Sequence, residues 1–524
     1  MKKTFLLTCC ILAILAASTK TYAQSKVFKE VGEDISSQVK PIWQDGAMVG
    51  YVVFTQLEKA SADSFNYKVT IMDENLNDIG TVNFKELKLA LYDVAFEQDV
   101  LCLAYMKSNF IGVEFKNYKE YKTMLPGAKT WIYTQFLSLN GQIIGSNDLK
   151  TNINITPAFS YGVRQIGNGK LKFGVLLKNI PQKGFAIAYG DETRNNLVVY
   201  NPAGKQVWQK TIAEDASDFY MLTSQQDVWL LAKKKEKLRE GGYTLLGYNT
   251  SDSTTMPKYN LQDKKGNPLR VITFENDPST GKPYLAGSII DASHGNQLDN
   301  ANQRTRGAYD GVFSIDLTGH KKADIKENFS YWNDGSKPGI SPKGRWESNQ
   351  AYCRFEQAFR DYDGNTYFSG SGMQHRLKWV SIGLTIATTP LIIPPLFILY
   401  ISGSQKARLT EGMIVKLAPK GVLSQESPIT LKNTSWFRGV YPVNFWDSRN
   451  YYHLANSETK TNYLIVDDAK DITIYNVNQK KTLRTIPHKD GNIRTSILPA
   501  KEGHVMISEY NQKEKYTRVS IEAL

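Results

Sequence analysis

Short apolar runs rich in Val, Ile, Tyr and Phe, each bounded by polar turn residues, recur along the whole chain. Runs of this length and composition predict strands, and no amphipathic helical pattern of similar strength competes with them. Two copies are clearest. YLAGS (284–288) and DGVFSIDLTG (310–319) flank a loop, and so do YFSGS (367–371) and EGMIVKLAPKG (411–421). A polar turn precedes each, DPSTGKP (277–283) and DYDGNT (361–366), and a glycine turn follows each. Glycine suits such turns because it accepts positive φ without a Cβ clash.

Six looser copies share this grammar: GYVVFT (50–55) with 67–80, VLCLAYM (100–106) with 131–145, LKFGVLL (171–177) with 197–208, VWLLAKK (228–234) with 243–252, YYHLAN (451–456) with 463–468, and HVMISEY (504–510) with 516–524. Eight antiparallel strand pairs in a row predict an all-β chain, a single β-propeller of seven or eight four-stranded blades. Two β-sandwiches are the rival, disfavoured because the repeat continues without a break. The strand–loop–strand–turn grammar resembles the β-propeller superfamily, including exported bacterial propeller families of unknown function. That resemblance implies a fold and no activity. Because the last copy ends at Leu524, ring closure calls for an N-terminal strand, expected near Val39–Trp43.

One stretch breaks the polar background. WVSIGLTIATTPLIIPPLFILYI (379–401) carries no charge and lies between YFSGS and EGMIVKL, where the sister repeat has a polar loop. The expected organisation is therefore a leader over 1–23, a propeller over 24–524, and an inserted loop over 372–410 holding an apolar hairpin. A straight helix of 23 residues would carry the chain about 34 Å from the blade it left, whereas neighbouring strands lie about 4.8 Å apart. Pro390, Pro394 and Pro395 supply a place to turn back. Arg376 and Lys378 before the stretch, and Lys406 and Arg408 after it, suit a single headgroup layer. The residues expected to meet a membrane or partner are Trp379, Val380, Ile382, Leu384, Ile386, Leu391, Ile392, Ile393, Leu396, Phe397, Ile398, Leu399 and Tyr400. A membrane hairpin ranks first, a partner contact second, packing on the propeller's own surface third and a full span fourth. The span has apolarity in its favour, but it would cut a repeat in half.

The first residues read as a secretory leader. Lys2 and Lys3 precede an apolar run from Phe5 to Ala17, and Thr21-Tyr22-Ala23 offers a cleavage site. Cys9 and Cys10 lie inside the apolar run, which disfavours lipid attachment. Cleavage removes three lysines and no acid, lowering the net charge from +13 to +10. Such basicity spread over a long exported chain mainly confers solubility, and nucleic acid is not an expected partner. The expected location is the periplasm or cell envelope. Cys102 and Cys353 sit in apolar runs and read as free, buried thiols.

No HExxH, CxxC, G-x-S-x-G or GxxxxGK[ST] motif occurs. No two of the six histidines suggest a local metal site, and His453 and His504 read as core histidines. DYDGN (361–365) resembles the start of a calcium loop but runs into a strand, so a hairpin turn is the better reading. NPAGKQVW (201–208) resembles one quinoprotein repeat, and a turn plus a core Trp208 accounts for it. KKKEKLRE (233–240) reads as a solvated hairpin tip. No catalytic, cofactor or metal residue is assigned. A rigid ring with long variable loops, no catalytic motif and one apolar docking element points to an exported, non-catalytic propeller that binds a protein or envelope component through its loop faces, with a membrane interface at 379–401. Two alternatives stand: a glycan- or peptide-acting enzyme with carboxylates at the axis, and a receptor spanning the membrane with 404–524 in the cytoplasm.

Overall fold

The computed structural model describes residues 24–29, 36–44, 47–61, 64–111, 118–151, 175–190, 194–212, 214, 216–234, 242–290, 309–319, 324–335, 339–377, 405–431, 436–438 and 449–524. Its strands form eight antiparallel sheets, each built almost wholly from consecutive strands. Blades 1 to 8 span 36–87, 89–151, 176–212, 216–260, 269–331, 352–425, 450–487 and 493–523. The first strand of each blade packs beside the first strand of the next from blade 1 through blade 7. These first strands therefore surround a common axis, and the fourth strands lie outermost. The chain is a single eight-bladed β-propeller.

Alternation explains why the second strands are apolar throughout. In Val100–Ser108, Leu101, Leu103 and Tyr105 pack toward blade 1, while Cys102, Ala104 and Met106 pack toward blade 3. A strand between two neighbours has no solvent face, so its period-2 pattern collapses into a continuous run. The same division recurs at blade 4, where Val228, Leu230 and Ala232 face blade 3, and Trp229 and Leu231 face blade 5. Eight apolar seams follow one another around the ring. The last joins Met506, Val519 and Ile521 of blade 8 to Met48, Tyr51, Val53 and Leu76 of blade 1.

The eight strand pairs read from the sequence fall one to a blade, with two offsets. In blade 3 the second strand is Gly184–Gly190 (GFAIAYG), and the last two residues of LKFGVLL open the first strand, Leu176–Ile180. In blade 7 the pair YYHLAN and YLIVDD forms the first and second strands rather than the second and third.

Ring closure also differs from expectation. Val39–Trp43 belongs to the first strand of blade 1, Ser36–Gln44. The closing strand is Gln24–Lys29, which pairs antiparallel with Tyr516–Ala523 from Gln24↔Ile521 to Lys29↔Tyr516. Lys26 then reaches back to blade 1, where its ammonium pairs with Asp78 and lies 3.4 Å from the Leu76 carbonyl.

Candidate functional site

Strand direction sorts the connections onto two faces. First-to-second and third-to-fourth connections emerge on one face and are short turns. Second-to-third and blade-to-blade connections leave and rejoin the sheets on the other, where the strand ends border the segments 109–129, 152–175, 291–308, 378–404 and 426–449.

The short-turn face is laced from blade to blade. Glu97 of blade 2 accepts from the Gln182 backbone N–H (2.8 Å) and Asn179 Nδ2 (3.1 Å) of blade 3. Gln225 Nε2 of blade 4 donates to Gln182 Oε1 at 2.8 Å. Lys501 of blade 8 donates to Asn75 of blade 1 at 2.7 Å. DYDGN is one of these turns. Asp361 Oδ1 accepts from the backbone N–H groups of Asp363 and Asn365, so its oxygens are occupied by the turn. DENLN (73–77) repeats the arrangement on this face, and DKKGN (263–267) repeats it in the blade 4 to blade 5 connection of the other. Trp208, half-buried on an outer strand, donates from Nε1 to the Thr250 carbonyl at 2.8 Å and so ties blade 3 to blade 4. Among the described residues no group of three His, Cys, Asp or Glu is arranged to hold a metal.

The first strands bring charges to the axis. Lys40, Asp93, Lys178 and Glu275 lie on the first strands of blades 1, 2, 3 and 5. Burial pushes the Asp93 carboxyl up, partly offset by the Val94 N–H and by Lys178 and Lys40. Glu275 keeps an exposed side chain, yet the inner strands crowded around it push its carboxyl up, against the pull of Thr273 and Lys178. Each carboxylate thus shares Lys178 as a charge partner. Tyr220 on the first strand of blade 4 is 48% exposed, yet its hydroxyl is pushed up by the crowding of the inner strands and by Asp218, with Arg270 opposing. Arg270 Nη2 in turn holds Glu356 Oε2 at 3.1 Å, and Arg354 Nε holds Glu356 Oε1 at 2.5 Å. Sequence reasoning assigned none of these residues. The available signal was a charge set against an apolar run in a first strand, Asp93 in LYDVAF and Glu275 in VITFE.

A cavity of about 210 Å³ between blades 3 and 4 is lined by Leu176, Tyr189, Asn195, Asp218 and Phe219. It is smaller than the roughly 300–1,000 Å³ of ordinary small-molecule sites. Cys102 is buried and free, and burial pushes its thiol well up. Cys353 lies in the first strand of blade 6. His453 stacks on Phe359 at 4.0 Å between ring centroids, with Nε2 3.0 Å from Asn462 Oδ1. His504 Nδ1 lies 2.8 Å from the Glu502 carbonyl.

The expected contact residues Trp379 to Tyr400 lie outside the described residues, as do 1–23 and residues 235–240 of KKKEKLRE. Their flanks are described. The second and third strands of blade 6, Thr366–Leu377 and Gln405–Leu417, remain paired out to Leu377↔Gln405. They form a ribbon longer than neighbouring hairpins, on the long-loop face. A short strand, Trp436–Arg438, adds to its far end. The ribbon's base is fixed. Arg449, fully buried, donates to the Thr410 carbonyl at 2.6 Å and from Nε to Asp468 at 3.3 Å. Asn349 Nδ2 donates to Glu411 at 2.7 Å. Among the described residues no helix is long and apolar enough to cross a membrane.

A family of unknown function, DUF6770, matches residues 1–393. No curated protein sequence matches the chain. Solved structures similar to it include propellers. The Dos1 propeller aligns at 8% identity and TM-score 0.43, covering 94% of each chain. The WD40 domain of SCAP from fission yeast aligns at 8% identity and TM-score 0.37, covering 92% of this chain and 98% of its own. The propeller domain of the Trilobed protease from Pyrococcus furiosus aligns at 8% and TM-score 0.35, covering 83% and 97%. Similarity this distant carries no argument about activity.

Proposed function

This chain belongs to the DUF6770 family, and we propose that it is an exported, non-catalytic binding propeller held at a membrane surface by residues 379–401. The observation that carries this reading is the pair Leu377↔Gln405. A segment whose two ends are cross-strand partners leaves and re-enters the ring at one point. If it enters a bilayer, it dips and returns. The same pairing opposes the receptor reading, since residues 405–523 complete blades 6 to 8 of the ring that 24–377 begins. Export is supported at the other end of the chain. Cleavage after Ala23 would leave the closing strand, which starts at Gln24, whole. The long segments gathered on one face supply the binding surface for a protein or envelope component.

The test replaces residues 378–404 with a Gly/Ser linker. The expected product is folded, with an unchanged melting temperature, and moves from the membrane to the soluble fraction. Retention of the linker form on membranes overturns the anchor. Loss of folding makes the stretch core.

A second reading is favoured by Asp93 and Glu275, two carboxylates on first strands around one axis, both pushed up by the crowding of the inner strands. Raised carboxylates suit general acid chemistry on a glycan or peptide. If turnover of such substrates exists, Asp93→Asn or Glu275→Gln should reduce it by about 10²-fold or more. Equal turnover in both variants removes this reading.

A further inference from the structure

We infer that the blade 6 ribbon carries a cationic row, Arg376, Lys406 and Arg438 in one register across three strands, that binds the phosphate groups of an anionic lipid surface. The inference rests on the reading that 379–401 meets a membrane.

Arg376 is the cross-strand partner of Lys406, and Lys406 is the partner of Arg438. Two positions along, Gln374 partners Arg408, which partners Trp436. Rows two residues apart share a face of the sheet. Four of the six positions in these two rows are therefore cations. The intervening row, His375, Ala407 and Phe437, belongs to the opposite face. No acidic residue occurs in MQHRL (373–377), QKARL (405–409) or WFR (436–438). Like charges directly opposite one another are unfavourable in a sheet.

Sequence flanks alone supply Arg376, Lys406 and Arg408. The register adds Arg438, from a segment beyond the fourth strand of blade 6, and aligns it with the other two. Arginine's planar fork suits phosphate oxygens. The row is also one position from the last pair before the apolar segment, Leu377↔Gln405. An apolar element beside a basic cluster is the two-signal arrangement that stable surface anchoring requires.

The test measures partitioning of the full mature chain onto phosphatidylglycerol-containing vesicles and onto pure phosphatidylcholine vesicles. The triple variant Arg376→Gln/Lys406→Gln/Arg438→Gln is compared with Lys205→Gln/Lys282→Gln/Lys420→Gln, which removes three exposed lysines from short turns of the opposite face. At about fivefold per charge, the row variant should lose roughly a hundredfold on phosphatidylglycerol, with an unchanged melting temperature, while the control triple keeps wild-type binding. Three outcomes overturn the row: equal loss in both triples, no loss in the row variant, or equal wild-type binding to both vesicle types. Release of wild type by inorganic phosphate at constant ionic strength assigns the row to free phosphate and overturns the lipid assignment. If wild type binds no vesicle at all, the membrane reading itself fails, an outcome distinct from wild-type binding that the row variant retains.

Discussion

Arg360 Nη1 and Asp277 Oδ2 lie 2.8 Å apart, joining the first turn of blade 6 to the first turn of blade 5. Both side chains are nearly inaccessible, at 8% and 6% exposure. The guanidinium also donates to Ser314 Oγ (2.6 Å) and stands 4.3 Å over the Tyr284 ring. Burial alone would raise Asp277, but Arg360, Ser279 and the turn N–H groups outweigh it and hold the carboxyl below its ordinary range. Removing one partner of a buried pair strands the other. Arg360→Met should therefore cost about 3–5 kcal/mol, and Arg360→Met/Asp277→Asn should recover part of that loss. Urea unfolding of the two variants and wild type checks this. Because Asp277 is depressed in the fold, its contribution is present above the unfolded aspartate range and is lost as pH falls through the folded value.

Closure makes a second prediction. Deleting Gln24–Lys29 leaves Tyr516–Ala523 as a bare outer edge and removes the Lys26–Asp78 pair. At about 1 kcal/mol per ladder hydrogen bond, the deletion should lower stability by several kcal/mol. Amide exchange should rise first in blade 8. An unchanged melting temperature would show that the ring does not depend on this strand.

Two histidines should give stability opposite dependences on pH. His453 is pushed down to about 4 by burial, with Asn462 opposing. The folded state keeps it neutral while the unfolded chain binds a proton, so stability falls as pH drops from about 6.5 to about 4. The whole effect is on the order of 3 kcal/mol. His488 is lowered by burial but raised more by the Thr495 carbonyl and the Asp467 carboxylate, 2.6 Å from its Nε2. Its contribution is complete below about pH 6.5 and disappears as pH rises through the raised value. His453→Gln should flatten the acid limb of a pH–stability curve, and His488→Gln the limb above neutrality. If neither limb changes, other groups control the profile.

The blades were legible because each second strand is apolar on both sides, and VLCLAYM and VWLLAKK announce this directly. GFAIAYG did not, because small residues fill its seam and lower its apolar signal. The closing strand QSKVFK was missed for a related reason. An outer strand has little to bury, and Val27 is 50% exposed. Asp93, Lys178 and Glu275 lie far apart in sequence, and only the convergence of first strands makes them neighbours. The row through Arg376, Lys406 and Arg438 likewise depends on register, which the pattern of a single strand does not specify.

Leu76 tests how closure constrains a local turn. In the turns DKKGN and DYDGN the fourth position is Gly266 (φ +82°) or Gly364 (φ +80°), whereas DENLN places Leu76 there at φ +67°. A left-handed conformation costs a non-glycine residue about 1–2 kcal/mol. Leu76 is 6% exposed and packs in the seam between blade 8 and blade 1. Burying a leucine returns about 1.5–3 kcal/mol, enough to hold the strained backbone. Leu76→Gly removes both terms, so it should destabilise by only about 1 kcal/mol, against about 2–5 for an ordinary buried leucine truncation. Leu76→Ala keeps the strain and loses the packing, and should be the more harmful of the two. Chemical denaturation of both variants decides the matter. If glycine proves worse than alanine, the backbone strain at this position is negligible.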